Sequence, residues 1–474
     1  MSGLFGSLSS GVKALTAQSR AVETAGRNLA NVNNPNYARQ RIVFGDRGTV
    51  LTPLGAQSLG LEAKQIEQLR DLLLDRQTVR EISLTSSLQA EQDAYEKAQA
   101  GLGQSINRTQ DANSTSASSG GQGIAESLGD FFNAFQSFAA RPTDSGERQT
   151  LIQKASILTD RFQVTDERLS QVQTDLTSQI TEDVAQVNRL LTTIAELNGQ
   201  IGRLEINIPG SAVDLRDQRQ AKLEELATKM AFETRPASGS PGQIDLLARD
   251  SLGNEILLVN LASVTGPVTF AGSVLSAGSP ATAVALSGGS IKGSRDARDS
   301  VIQGVRDQID ALASQLVTAV NDAYNPTNSF TGDFFLATGL TAGAIRVTSG
   351  LNATNLKASD GGAPGDNTIA SAVATLASRK FSVSGGDDIN GTFIQHFTRA
   401  VTDLGQTLSG TMSRLQDQES IEKIVRGQRD AVSGVSLDEE MADLLKYQRS
   451  FQASSRVIQV IDEMLDTVVN RMGV

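Results

Sequence analysis

Apolar residues recur in sevens along the end of the chain, from residue 437 to residue 474. Leu437, Leu444, Phe451, Ile458, Leu465 and Met472 share one line of a helix, with Tyr447, Ile461 and Val468 beside it. This is an a/d stripe held over about five heptads, and a helix of that length measures roughly 55 Å. Gly434 precedes it, and Ser436 with Glu439 forms an S-x-x-E capping box, so the spacing predicts a helix start there. The first 32 residues carry the same period. Phe5, Val12 and Gly26 share one position, and Leu8, Leu15, Val22 and Leu29 share another. An apolar seam needs cover, and at two chain ends the nearest cover is the other end and neighbouring copies. The termini are therefore expected to pair as a coiled coil, although two ordinary amphipathic core helices would give the same period.

Between the ends the pattern predicts a helical body interrupted by a β insert. Residues 28 to 44, NLANVNNPNYARQRIVF, hold a turn cluster at Asn34, Pro35 and Asn36. Residues 45 to 68 are punctuated by glycine and read as an extended connection, and helical period returns from Arg70 to about Leu102. Residues 107 to 123 form a polar linker. Phe131, Phe132, Phe135 and Phe138 then stand at helical spacing, as core residues do; Pro142 breaks the helix, and another starts near Gly146. Leu169, Val172, Leu176, Ile180, Val184, Val187, Leu191, Ile194, Leu197 and Ile201 predict one long helix from Phe162 to Leu204. Residues 232 to 291 change to Pro, Gly, Ser, Thr and Val, with strand-like pieces near 243 to 248, 255 to 259 and 267 to 270 and a turn at Gly253 and Asn254. Helical period resumes at Val301. Residues 325 to 390 read as loops and short strands, and a long helix from about Thr392 to Arg429 leads into the C-terminal seam.

The fold class expected is mainly α with a β insert, elongated and multidomain. It divides into a terminal coiled-coil domain (1–45 and 434–474), a long-helix bundle (46–231 and 292–433, with loops at 327–390) and a small β-rich domain (232–291). Composition agrees with helical layers: the 474 residues are 39% hydrophobic and only 4% aromatic, without Trp. The net charge of −11 without a basic cluster argues against nucleic acid as a partner. The absence of cysteine excludes disulfides and thiolate chemistry. No apolar run reaches the roughly 18 residues of a membrane helix, and MSGLFGSLSSGVKAL lacks the layout of a secretory signal, so neither a membrane nor a cleaved-signal route is expected.

Enzyme chemistry finds no purchase. His396 is the single histidine, and on a helical segment it reads as a packed or surface residue. Gly101-Leu102-Gly103 lacks the third glycine of a dinucleotide loop. Asp111, Asn113 and Thr115 imitate an EF-hand start, but Ser116 and Gln122 replace its glycine and closing glutamate. Neither cofactor nor metal is expected.

The segment after the first helix resembles the N-terminal signature of flagellar axial proteins through Asn28, Leu29, Ala30, Asn31, Pro35, Tyr37, Arg39 and Gln40. Asn34 and Asn36 stand where Thr and Gly are usual, and Asn36 would suit a positive φ. Asp71, Leu74, Asp75 and Gln77, the run from Phe131 through Pro142, Asp144, Arg148, Ala155 and Leu158, the helix DLRDQRQAKLEELATKM, and GGSIKGSRDARD with IDALASQLVTAVNDAY narrow the resemblance to the hook-associated protein 1 family. Gln220 departs from its usual acid, and its His and Gly beyond Asn321 are missing. The resemblance implies an extracellular structural adaptor at the hook–filament junction, exported through the type III route. The partners it implies are hook protein, a second junction protein, further copies in a ring, and an export chaperone on the C-terminal helix. The assembly and chaperone residues would be Leu437, Leu444, Tyr447, Phe451, Ile458, Ile461, Leu465 and Val468. The axial helix and signature would be Leu8, Leu15, Val22, Leu29, Asn31, Pro35 and Tyr37. Another axial protein is the alternative; the Phe131 to Phe162 block speaks against hook and rod proteins and the Tyr37 turn against flagellin. A cytosolic coiled-coil scaffold would share the heptads but not the turn signature.

Overall fold

The computed structural model describes residues 2–46, 48–52, 55–58, 60–103, 123–326, 332–361, 363 and 365–467. The EF-hand-like residues at 111–122, almost all of the polar linker, Val468 and Met472 lie outside the described residues, as does the side chain of Phe5.

Helix α1 covers Ser2–Ala30. After the turn, β1 (Gln40–Asp46), β2 (Thr49–Thr52), β3 (Gly55–Ser58) and β4 (Leu61–Gln68) follow. Strands β1 and β4 pair antiparallel from Gln40 opposite Gln68 to Asp46 opposite Leu61, and β2 pairs with β3. The stretch expected as a bare connection is thus a pair of ribbons: Gln40 and Ile42 turn inward and Arg41 outward, the alternation of a half-buried strand. Helix α2 (Leu72–Gly101) starts where Asp71 Oδ1 accepts from the N–H groups of Leu73 (2.8 Å) and Leu74 (3.4 Å), an N-cap. Helix α3 (Ile124–Ala140) ends before Pro142, and Asp144 caps α4 by accepting from Gly146 N at 2.7 Å. Helix α4 runs from Ser145–Glu205 without a break, 61 residues in one helix rather than two. The buried stripe Leu151, Ala155, Leu158, Phe162, Leu169, Leu176 and Ile180 continues through the expected boundary at Phe162, and nothing there interrupts it.

Helix α5 (Val213–Lys229) leads into the insert. Strands β5 (Glu233–Pro236), β6 (Ile244–Arg249), β7 (Glu255–Asn260) and β8 (Ser263–Val264) make one antiparallel sheet in that order. Strands β9 (Thr269–Ala271), β10 (Val274–Ala277) and β11 (Thr282–Ala283) make a second, three-stranded sheet. The β6–β7 turn closes on Asp250, whose Oδ1 accepts from Asn254 N at 2.8 Å while Gly253 takes a φ of 85°. Helix α6 (Ser290–Asp296) passes through a wide turn at Ala297–Ile302 into α7 (Gln303–Tyr324), so helix resumes about ten residues before Val301. Helices α8 (Thr368–Thr375), α9 (Phe393–Ser433) and α10 (Leu437–Asp466) complete the chain.

Two compact units result: Met1–Ser86 with Val184–Gly289 and Asp417–Val474, and Ser87–Asp183 with Ser290–Gln416. This differs from the three-way division expected, since the terminal helices and the β insert share the first unit. The second unit is built on aromatic burial. Phe131 meets Phe135 edge-on at 5.1 Å between ring centroids, Phe334 at 5.8 Å and Phe335 at 5.7 Å. Phe132 stacks on Phe393 at 5.6 Å. Residues 332–361, part of the stretch expected as loops and short strands, place Phe334, Phe335, Ile345 and Leu356 in that core. Asn321 holds them there, with its side chain bonded to both the N–H and the carbonyl of Phe335 at 2.9 Å each. Each buried Phe contributes roughly 2–3 kcal/mol, so the cluster accounts for much of the unit's stability.

Candidate functional site

Within the first unit α1 packs antiparallel on α10. Gly11 faces Ile458, where a Cβ would come within 3.1 Å of Ile458 Cγ1, and Asn28 bonds Glu440 at the other end. The stripe of α1 that is buried consists of Ala17, Ala21, Thr24, Ala25 and Asn28, not the larger residues singled out by periodicity. Leu8, Leu15, Val22 and Leu29 are half-buried to one side, and Val12 is 47% exposed. Small residues win the contact line because two helix backbones approach closely only where side chains are short.

On α10 the covered line is Glu440, Leu444, Tyr447, Phe451, Ser454, Ile458, Ile461 and Leu465, in alternating steps of four and three. The register therefore places Leu444, Tyr447, Phe451, Ile458, Ile461 and Leu465 against α1 and its flanking strands. Phe44 of β1, for instance, lies 6.3 Å from the Tyr447 ring. Leu437 departs from this line at 52% exposed and belongs to a second stripe with Met441 and Leu445, which nothing among the described residues covers. Ser436 sits at the N-cap with extended backbone but makes no side-chain cap bond. The expected capping box does not form because Glu439 is drawn away to Arg39 Nη1 at 2.6 Å.

The pair is joined at a polar junction built from the signature turn. Asn28 is 1% exposed and uses its full hydrogen-bonding capacity. Its Nδ2 donates to Gln40 O (2.8 Å) and Glu440 Oε2 (3.0 Å), and its Oδ1 accepts from Gln40 N (3.0 Å) and the Tyr37 hydroxyl (2.8 Å). Arg39 bonds Glu440 Oε1 through Nε at 2.7 Å, while its backbone N–H donates to Ser433 O, just before α10, at 2.8 Å. Two guanidinium groups hold the turn itself: Arg429 Nη2 donates to Pro35 O and Arg70 Nη2 to Asn36 O, both at 3.3 Å. Asn34 Oδ1 accepts from Asn36 N at 3.2 Å, closing an Asx turn. Asn36 does not take the positive φ expected of it; among the described residues Leu261 is the sole non-glycine that does. Asn31, half-buried, donates to Arg27 O at 3.0 Å and braces the turn from the helix end, its backbone carbonyl accepting from Asn34 N at 2.9 Å and its Oδ1 from Asn34 Nδ2 at 3.4 Å.

Burial of this much charge shifts its protonation. Arg70 pairs with Asp75 at 3.0 Å and Asp217 at 2.6 Å. One guanidinium shared by two buried carboxylates does not offset their desolvation. Burial pushes the Asp75 carboxyl up and Asp217 up to about 6, with Arg70 pulling the other way. The Tyr37 hydroxyl is pushed up by burial and then by Asp217, Asp214 and Glu440, so it stays a donor to Asn28. The cavity between Tyr37, Arg70, Glu224 and Arg429 measures about 20 Å³, too small for an organic ligand.

Among the described residues no group of three or more His, Cys, Asp or Glu side chains is arranged to hold a metal, and no helix is long and apolar enough to cross a membrane. His396 lies in the second unit with Nε2 at 3.1 Å from Gln308 O, and burial lowers its pKa. The sequence reading singled out Asn31 and passed over Asn28 as a site residue, along with Arg70, Glu440 and Arg429. Asn28 had one usable signal, since it falls on the same line as Ala17, Ala21 and Ala25, where a polar residue needs a built partner.

Residues 109–335 match the family model of the flagellar hook-associated protein FlgK helical domain, and residues 428–472 match that of the flagellar basal body rod FlgEFG protein C-terminal region. Flagellar hook-associated protein 1 of Bacillus subtilis (strain 168) is 26% identical over 100% of this chain and 99% of its own. The protein of the same name from Escherichia coli (strain K12) is 22% identical, and that from Salmonella typhimurium 24%, each over 99% of this chain and 100% of its own. A solved structure of the flagellar hook junction protein FlgK from Burkholderia pseudomallei aligns with a TM-score of 0.46 at 20% identity, covering 55% of this chain and 46% of that one.

Proposed function

We propose that this chain, which belongs to the flagellar hook-associated protein 1 family, is a structural component of the bacterial flagellum that joins hook to filament. The observation that carries the reading is the antiparallel pair of first and last helices, fixed at Asn28 and Glu440, with the apolar line Leu437, Met441 and Leu445 left open beside it. A subunit that serves only to assemble needs such a pair: one face closes the fold and the other is free for neighbours. In this reading the chain is extracellular, leaves the cell by the flagellar type III route, and associates with hook protein on one side, a second junction protein on the other and its own copies in a ring. Before export, with α1 not yet paired to it, α10 would offer its Leu444, Tyr447, Phe451 and Ile458 line to a chaperone, as a helix laid in a groove is recognised. The chain acts by geometry rather than by catalysis.

Leu444→Asp and Phe451→Asp put a charge into the half-buried line of α10, which costs several kcal/mol unless the charge is paired. Cells carrying either variant are expected to make hooks without filaments, and the variants to bind the chaperone weakly in a pull-down. Substitutions at the exposed Arg449 or Gln452 should leave both readouts unchanged. Normal filaments and full chaperone affinity in both Asp variants would remove this helix from the mechanism.

A further inference from the structure

The first unit holds a groove of about 900 Å³ that the terminal pair does not use. Its walls are the start of α2, helix α5 and the β5–β6–β7 sheet, with Val79, Leu223 and Leu247 buried along the floor. Leu72 and Leu73 stand at its rim, 61% and 62% exposed. Two such neighbours, left in water at the first turn of a capped helix, gain nothing for the fold and point to an apolar occupant.

The charges in the groove give the occupant its sign. Arg249 is taken by Glu233 at 2.7 Å and Arg80 by Glu81 at 3.0 Å. Arg219 is different: its side chain is buried, its Nη1 donates only to neutral acceptors, Asn198 Oδ1 and Gly242 O at 2.7 Å each, and no carboxylate lies within ion-pair distance among the described residues. Burial and the neighbouring Arg216 lower its pKa to about 10; Glu205 pulls the other way, but that carboxylate is held by Arg216 at 2.6 Å. Arg76, also on the groove wall, likewise has no acidic partner among the described residues. An occupant that presents apolar side chains beside a carboxylate complements both features.

The chain carries such a segment. The first turns of α10 expose Leu437, Met441 and Leu445 at i, i+4 and i+8, with Asp438, which has no partner among the described residues, flanking them on the same side of the helix. We infer that this groove receives the exposed face of α10 from a second copy of the chain, with Asp438 directed at Arg219 and the three apolar side chains against Leu72, Leu73 and the groove floor. The inference rests on the chain being an assembling subunit, which supplies the second copy, and it adds which surface meets which.

The sequence has no cysteine, so introduced ones report cleanly. Purified full chains carrying Leu73→Cys and Met441→Cys would be mixed, oxidised with copper phenanthroline and run on a non-reducing gel. The mixture is expected to give a heterodimer band well above that of Met441→Cys mixed with Ile157→Cys, an exposed control in the second unit. Arg219→Gln in the first chain, or Asp438→Asn in the second, should each lower the yield by about threefold or more, and the two together no further, as one charge pair requires. Leu72→Asp, on an exposed side chain, gives the same reading should Arg219→Gln lower the melting temperature. A yield equal to the control, or cross-linking confined to like variants, overturns the inference. Filament attachment is scored separately in cells: lost filaments in Leu444→Asp with no groove cross-link would leave the proposed function standing and this surface refuted.

Discussion

The aromatic cluster of the second unit and the terminal helix pair of the first are stabilised by opposite means. Around Phe131, rings are fully buried against one another and the polar groups present, Asn321 above all, serve to hold loops onto the rings. In the terminal pair the α1 side of the contact line is mostly alanine, the larger side chains of α10 that meet it are mostly only half-buried, and Asn28, Arg39, Arg70, Arg429 and Glu440 form the attachment. Apolar area makes a region stable whatever surrounds it. A polar junction makes a geometry specific while contributing modestly to stability, and it leaves large apolar residues free to face outward.

The largest expected effect lies on the aromatic side. Phe135→Ala removes a fully buried ring and should lower unfolding stability by about 3–5 kcal/mol, read by chemical denaturation followed by circular dichroism. A loss below about 1 kcal/mol would mean the cluster is not the core of its unit. Next, Arg70→Met strands Asp75 and Asp217 in a buried site and should cost about 3 kcal/mol, with early proteolytic release of the segment before β1.

The third effect is a pH dependence. Asp217 titrates near 6 in the folded chain and near 3.8 when unfolded, so its burial weighs fully against folding above pH 6. That cost is relieved as pH falls from about 6 to 4, and the term has vanished below the unfolded value. Asp217→Asn should therefore flatten stability against pH between 4 and 6, by about 1–3 kcal/mol over the window. An unchanged slope would show that Asp217 is not desolvated. The smallest effect is expected at Leu445→Ser, outside the covered line, which should change monomer stability by less than about 0.5 kcal/mol.

Much of the architecture was legible because punctuation and period are local. Pro142 with Gly146 marked the α3–α4 break, Ser436 the start of α10, and Gly253 with Asn254 the hairpin of the insert. What was misread has common causes. Periodicity weights large apolar residues, so it chose Leu15 and Val22 on α1, whereas close helix approach selects Ala17, Ala21 and Ala25. On α10 two apolar stripes lie side by side, and period alone could not say that Leu444 is covered while Leu437 is not. The junction was the least visible part, since Arg70, Asp217 and Arg429 are far from Tyr37 in sequence and meet it only in the fold. Signature residues such as Asn28 and Arg39 were recognisable by resemblance, but their work became clear only once Glu440 and Ser433 were placed beside them.

The measurement that tests the account most directly is amide hydrogen exchange of the free chain with Asn28→Ala. The substitution deletes four hydrogen bonds at the junction and touches no residue of the second unit. If the polar junction fixes the terminal pair, exchange across residues 437–466 should quicken by about tenfold or more, because loss of about 1.4 kcal/mol raises an opening equilibrium that much. Residues 303–324, in the aromatic unit, should exchange as before. Unchanged exchange in α10, or equal acceleration in both helices, would contradict it.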